Sequence, residues 1–219
     1  MKKMKISALE FPNLTKLFVV SAIGKVAYHH ETYDELFWDL INSDNGKLDV
    51  KNFLTKLIEL GHESVLEHIY FTFDIQYISR WATHQLVRHR IGSFTQKSLR
   101  RKRTLCVDDF VINPTLSQKH IDRKIKRYKR AIAEYEEDLA EGEMSVDDIR
   151  ADLPGTIGSE IIWTVNLRSL RNFVKLRIAH ESSWEMNVLA ITIINMLRAK
   201  DMAYLIEDLI EYGGTSVEV

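Results

Sequence analysis

Cysteine is almost absent from this sequence, with Cys106 the only one among 219 residues. No internal disulfide can form, and no thiolate metal cluster can be assembled. Proline and glycine are scarce too, three and nine residues, which leaves little material for flexible linkers. No uncharged apolar run reaches the roughly 18 residues a membrane helix needs, so no membrane partner is expected. The basic start Met1-Lys2-Lys3-Met4-Lys5 meets Glu10 and Pro12 rather than an apolar stretch, so a secretory signal is not expected either. A reducing cytoplasm is the expected compartment. The glycine signatures G-x-G-x-x-G and G-x-x-x-x-G-K-[ST] are missing as well, so neither the Rossmann nor the P-loop way of holding phosphate is indicated. Any dinucleotide would have to be held by arginines and side-chain amides.

What is present is ordinary for a globular chain: 45% hydrophobic and 28% charged residues argue against disorder. One domain over residues 1–219, with enough interior for a sizeable core, is the expectation. Residues 5–11 read as a strand, and Asn13 can cap a helix running to about Tyr28. Asp49 is expected to cap a helix over 50–60, which Gly61 ends. The β-formers Tyr70, Phe71, Phe73, Ile75 and Tyr77 predict a strand over 69–78, with Ser79 opening a helix. Residues 91–98 read as a polar loop. Ile121, Ile125, Tyr128, Ile132, Tyr135 and Leu139 form one apolar stripe on a long charged helix, facing either the body of the domain or another subunit. Ser145 is expected to cap a short helix stopping before Pro154. A strand near 161–165 leads into helices over 167–178, 184–197 and 203–210. The class is therefore α+β, rich in helix.

The charge is distributed unevenly although its net value is only -1. Between Asp74 and Asp108 there is no acidic residue, while Arg80, Arg88, Arg90, Lys97, Arg100, Arg101, Lys102 and Arg103 all fall there. Like charges so close repel one another, so an anion among them would relieve the repulsion; a merely solvated basic face is the other reading. Gln85, Ser93, Thr95, Gln96 and Ser98 add donors and acceptors suited to a planar heterocycle. Arginine outnumbers lysine, and its fork matches phosphate bidentately. A nucleic-acid backbone competes as a partner, but Phe94 is nearly the only aromatic available for base stacking. A mononucleotide fits better.

Arg88-His89-Arg90, followed by Ser98 and Arg100, resembles the signature of the flavin-dependent thymidylate synthases. Further blocks match in the same order: Gly61-His62-Glu63-Ser64 with Glu67-His68, Arg80 through Gln85, and Arg150-Ala151-Asp152-Leu153-Pro154. Trp163 to Asn166 with Arg168, Asn172, Arg177 and Trp184-Glu185 complete the set. The resemblance spans almost the whole chain. It implies a helix-rich domain with a small mixed or antiparallel sheet. It also implies an enzyme that methylates dUMP to dTMP with 5,10-methylenetetrahydrofolate, using FAD reduced by NADPH. Homotetramers with active sites shared between subunits are implied too.

Carried over position by position, the resemblance assigns FAD to Ser64, Arg88, His89, Arg90, Gln96, Asn166, Leu167, Arg168 and Asn172. It assigns dUMP to Gln85, Leu86, Val87, Arg88, Gln96, Lys97, Ser98, Leu99, Arg100, Arg150 and Arg177. Arg177 would be catalytic, favouring the N3-deprotonated uracil because a nearby cation lowers an acid's pKa. Arg100 and Arg150 would take the phosphate, and His89 and Arg90 would offset the charge of the flavin pyrophosphate. His62 would lie near folate and flavin, although it could instead hydrogen-bond a carbonyl at the preceding helix end. Glu67 and His68 could be a local structural pair; a third ligand at sensible spacing is missing, so no metal is expected. Cys106, after Leu105 in an expected buried strand, is read as structural, and the resemblance implies a family that needs no cysteine nucleophile. Three departures from the family pattern touch the flavin's surroundings: Leu99, Arg101, and Glu181 beside His180.

Overall fold

Two strands form the centre of the sheet, and each turns directly into a helix. The computed structural model describes residues 2–101, 104–179 and 182–212. β1 (Lys5–Glu10), β2 (Tyr70–Ser79), β3 (Gly92–Gln96) and β4 (Gly158–Asn166) form one sheet in the order β1-β2-β4-β3. Every pairing is antiparallel. β2 and β4 run alongside each other from Tyr70 opposite Asn166 to Ser79 opposite Gly158. Alternation sends Phe71, Phe73 and Ile75 of β2, with Ile161, Trp163 and Val165 of β4, into the core. Trp163 lies between Phe73 and Phe94 in register, and its ring stacks parallel to that of Phe94. Each such buried side chain contributes about 1.5–3 kcal/mol.

The strand ends serve as helix caps. Ser79 closes β2 and opens α4 (Arg80–Leu86), its hydroxyl accepting from the Ala82 N–H at 3.1 Å. Asn166 closes β4 and opens α7 (Leu167–Arg177), accepting from the Ser169 N–H at 2.8 Å. α8 (Trp184–Ala199) fastens this arrangement through Glu185, which is buried. Its carboxylate accepts from the Ser79 N–H at 2.7 Å and from the Ser79 hydroxyl at 2.6 Å. Burial raises the Glu185 pKa, and the two Ser79 hydrogen bonds oppose that rise. α1 (Leu14–Val26) and α3 (Gly46–Glu59) contribute to the same core.

A second apolar cluster gathers Leu99, Leu105, Phe110 and Ile157 against two helices that follow. These are α5 (Gln118–Glu141) and α6 (Val146–Ala151). The whole stripe from Ile121 to Leu139 faces this cluster, so it packs on the chain's own body.

Several elements differ from the sequence reading. Residues 92–96 are a strand rather than part of a loop. Gly92, Phe94 and Gln96 alternate with exposed Ser93 and Thr95, and only glycine lets the backbone approach Trp163, since a Cβ at position 92 would meet Trp163 Nε1 at 2.7 Å. α3 starts at Gly46, so Asp49 is inside its first turn and accepts from the Ser43 hydroxyl at 3.0 Å instead of capping. α2 (Tyr33–Asn42) had no counterpart; Thr32 and Glu35 form its capping box. Cys106 is exposed and precedes a 3-10 turn, not buried in a strand. The last helix is divided into a 3-10 turn, Ala203–Leu205, and α9 (Glu207–Tyr212).

Replacing Glu185 tests the link between α8 and α4. Glu185→Ala leaves the buried Ser79 N–H without its acceptor and should cost about 1.5–3 kcal/mol. Glu185→Gln, which keeps one acceptor oxygen, should cost clearly less. Urea unfolding of both variants against wild type measures this; equal stabilities would refute it.

Candidate functional site

The residues singled out from sequence collect into three groups. The first surrounds the start of α7. A cleft of about 650 Å³ is lined by Glu63, Glu67, Arg90, Arg168, Asn172 and Lys175, among others. That volume is in the range of small-molecule sites, roughly 300–1,000 Å³. Arg168 is exposed and donates to Glu67 at 2.6 Å, which also answers the Glu67–His68 pairing: Glu67 reaches across to α7 instead. Among the described residues Arg90 and Lys175 meet no carboxylate within salt-bridge distance. Ser169 is buried and its hydroxyl accepts from the Ile91 N–H at 3.1 Å, tying the Arg88–Arg90 turn to α7. Arg171 forms the floor. It is buried, paired bidentately with Asp208 at 2.6 and 2.8 Å, and holds α9 in place.

The second group lies beyond the other end of β3, about 16 Å away along the strand. Lys97, Ser98 and Leu99 line a cavity of about 450 Å³ with Tyr77 and Ser159. Gln96 is fixed at its rim, its amide donating to the Thr83 hydroxyl at 3.0 Å and to the Ser159 hydroxyl at 3.1 Å. Arg100 Nε donates to Asp147 Oδ1 at 2.8 Å, and Arg150 Nε reaches the same oxygen at 2.8 Å. Arg100 beside it holds the Asp147 carboxyl below its ordinary pKa. Arg80 is near enough to Arg150 for repulsion to add to burial in lowering its own pKa. Its Nε is buried without a partner among the described residues. Two guanidinium groups thus share one carboxylate with a third, Arg80, near Arg150, an excess of positive charge suited to a phosphate.

The third group is at the junction of α4, α7 and α8. Gln85 accepts from the Ser183 hydroxyl at 3.0 Å. Arg177, at the end of α7, donates from Nε to His89 Nε2 at 2.9 Å, and its carbonyl accepts from the Asn187 amide at 3.1 Å. Burial lowers the Arg177 pKa. His89 is 5% exposed, and its ring meets Phe173 edge-on at 5.0 Å. Burial first, then the Arg177 charge, push its pKa from 6.5 down to about 4. Its surroundings thus hold His89 as a neutral imidazole at ordinary pH.

Other positions are less available than the sequence suggested. Leu86 and Leu167 are wholly buried, backbone included, and Leu99 nearly so, so these three offer a ligand little or no surface. Asn166 is buried and spends its side-chain oxygen on the α7 cap. Ser64, Val87 and Arg88 are exposed. His62 is exposed, and its Nδ1 shares a hydrogen bond with the Tyr28 hydroxyl, while its backbone N–H, not its ring, reaches a helix carbonyl, that of Leu57. The Arg101 side chain, Lys102, Arg103, His180 and Glu181 lie outside the described residues. Sequence reasoning missed Asp147, Ser159, Ser169 and Ser183. Only Asp147 left a signal, three residues before Arg150 on one helix face. Among the described residues no three His, Cys, Asp or Glu side chains converge as metal ligands would, and no helix is long and apolar enough to cross a membrane.

Comparison with known proteins points to one family. A family described as thymidylate synthase complementing protein matches residues 14–201. The flavin-dependent thymidylate synthase of Pyrococcus abyssi is 40% identical over 173 residues, covering 75% of this chain and 67% of the relative. That of Geobacter sulfurreducens is 36% identical over 198 residues, covering 89% and 82%. Two crystal structures of thymidylate synthase X from Helicobacter pylori, each with FAD and dUMP, share the fold with a TM-score of 0.70. They are 23% identical to this chain and cover 94% of it and 99% of their own length.

The burial of His89 has a pH signature. In the unfolded chain the imidazole takes a proton near pH 6.5, whereas in the fold it resists protonation down to about 4. Between those values the unfolded state binds more protons, so His89 makes the fold lose stability as pH falls through that window. Unfolding free energies at pH 7.5, 6 and 5 should fall more steeply for wild type than for His89→Gln. Parallel slopes would refute the assignment.

Proposed function

Because this chain belongs to the flavin-dependent thymidylate synthase family, we propose that it methylates dUMP to dTMP and that residues 1–219 work as one catalytic domain. The observation that carries the reading is Arg177, a half-buried guanidinium that meets no carboxylate among the described residues. A cation withdrawn from water and left without a counter-ion is set to stabilise an anion formed there. That anion is the uracil ring deprotonated at N3, whose added electron density makes C5 a stronger nucleophile toward the one-carbon donor, methylenetetrahydrofolate.

The other groups bind and orient. Arg100 and Arg150 take the nucleotide phosphate, with Ser98 donating a hydrogen bond and Arg80 adding positive charge. Asp147 holds these arginines when no phosphate is bound. Gln85 and Gln96, each already fixed by a neighbouring hydroxyl, orient the pyrimidine. The cleft at the start of α7 suits FAD: Arg90 and Lys175 line it with no carboxylate in salt-bridge reach among the described residues, and Arg168 and Asn172 border it. FAD, reduced by NADPH, supplies the hydride when bound, and the protein's part is to hold the flavin beside the pyrimidine. His62, exposed and joined to Tyr28, lies toward the folate. The flavin cleft and the phosphate group sit at opposite ends of β3, which supports a homotetramer whose sites are completed by neighbouring subunits. The enzyme works in the cytoplasm.

Purified protein should be yellow, its flavin spectrum should shift on adding dUMP, and it should form dTMP with methylenetetrahydrofolate and NADPH. Colourless protein that ignores FAD and binds oligonucleotides with steep salt dependence would overturn the reading. Arg177→Ala should keep FAD yet lose dTMP formation by about a hundredfold or more, since an oxyanion-type stabilising group is removed. Arg177→Lys should stay poor because a point charge does not replace a fork. Cys106→Ala should turn over like wild type, as an exposed thiol without a catalytic role would. Light scattering should give a mass of four chains.

A further inference from the structure

The Arg88-His89-Arg90 turn carries three side chains capable of positive charge, yet the fold treats the middle one differently. Arg88 and Arg90 are exposed, while His89 is turned inward. Its ring is wedged edge-on against Phe173, which meets Trp163 edge-on at 5.0 Å, so the imidazole rests on the centre of the sheet. The His89 backbone is fixed as well, its N–H donating to the Leu86 carbonyl at 3.0 Å. From this footing Nε2 accepts the Arg177 Nε–H at 2.9 Å. An imidazole that accepts at Nε2 carries its proton on Nδ1, and burial beside a guanidinium keeps it from taking a second. At the other end of the residue, Asn187 holds the Arg177 carbonyl.

We propose that His89 is a positioning residue for Arg177: it occupies Nε and leaves the terminal Nη1–Nη2 fork to face the pyrimidine. The inference rests on the reading above that Arg177 meets dUMP. An arginine has five N–H donors and several rotatable bonds, so an unheld side chain would spread over many orientations. Engaging Nε with a neutral acceptor fixes the plane of the guanidinium without cancelling its charge. A carboxylate in the same place would fix the plane but neutralise the cation, weakening its pull on N3. A neutral imidazole does the first without the second. This gives the signature histidine a duty toward the nucleotide half of the site.

The test uses FAD-loaded wild type and three variants, with dUMP binding measured by calorimetry in the absence of folate, alongside FAD content, thermal midpoint and turnover. His89→Gln can place an amide oxygen near the position of Nε2, whereas His89→Asn is too short to reach Arg177, and His89→Phe keeps the ring without the acceptor. The expected result is that His89→Asn and His89→Phe keep their flavin but bind dUMP about tenfold more weakly, with a matching fall in turnover. His89→Gln should recover to within about threefold of wild type. If the buried phenylalanine variant fails to fold, the glutamine–asparagine pair still decides. Loss of FAD with unchanged dUMP affinity, or glutamine no better than asparagine, overturns the proposal. Wild type that binds no dUMP overturns the parent function instead, and this is seen before any variant is compared.

Discussion

The pairing of β2 with β4 sets the distances on which the candidate site depends. A slip of one residue would turn Phe71, Phe73 and Trp163 out of the core and shift the Ser79 and Asn166 corners, with the helices that start there, relative to each other. Because the strands are antiparallel, α4 and α7 leave the pair from opposite ends, and each runs back over the sheet. Arg177 and His89, far apart in sequence, meet where the two helices end. No long loop intervenes between strand and helix in either case. The precision of the junction is inherited from the hydrogen-bond ladder, and Glu185 from α8 locks one of its two corners. A site built on strand and helix ends in this way keeps its side chains within narrow limits before any ligand arrives.

The arginines differ in how fully their charge is answered, and the difference follows their place. Arg171 is buried, shares both oxygens of Asp208 and holds α9, a structural duty. Arg168 is exposed and only partly engaged, by Glu67 and more distantly by Glu63. Arg100 and Arg150 share the single Asp147 carboxylate and Arg80 lies near Arg150, so positive charge remains over. Among the described residues Arg177 meets a neutral ring and no acid. Unanswered charge is costly when partly buried, and the lowered pKa values of Arg80 and Arg177 express that cost. A fold that retains it gains stability once an anion binds, which is the thermodynamic form of a binding site.

Much of this was legible in the chain because local chemistry and tertiary need agreed. Ser79, Asn13 and Ser145 were readable as caps from side-chain type alone, and each does accept from the N–H three residues on. The α5 stripe was readable from its spacing, although which surface it faced was not, since spacing says nothing about a partner. Residues 92–96 looked like a loop because Gly92, Ser93 and Thr95 have weak apolar character. Phe94 against Trp163 and the close approach of Gly92 override that propensity, and both are long-range. Cys106 was misplaced for the converse reason: an apolar neighbour, Leu105, is buried while the cysteine itself faces water. In the site, residue identities were readable but their partners were not. Asp147, Ser169 and Ser183 act through contacts across the fold, and only Asp147 lies close in sequence to a residue it serves.

His89 marks the limit of counting charge along a sequence. The basic segment from Arg80 to Arg103 invites the sum of its cations, and a histidine between two arginines is naturally added to that sum. The fold removes it from the sum by burying it beside a guanidinium, where desolvation and repulsion both oppose protonation. What remains is a lone pair of electrons at a fixed point, aimed at Arg177. The exposed arginines on either side keep their charge and face solvent, free to meet phosphate groups. One short turn thus presents cations outward and a neutral acceptor inward, so exposed charge and the orientation of Arg177 are separated by which side of α4's end each residue occupies.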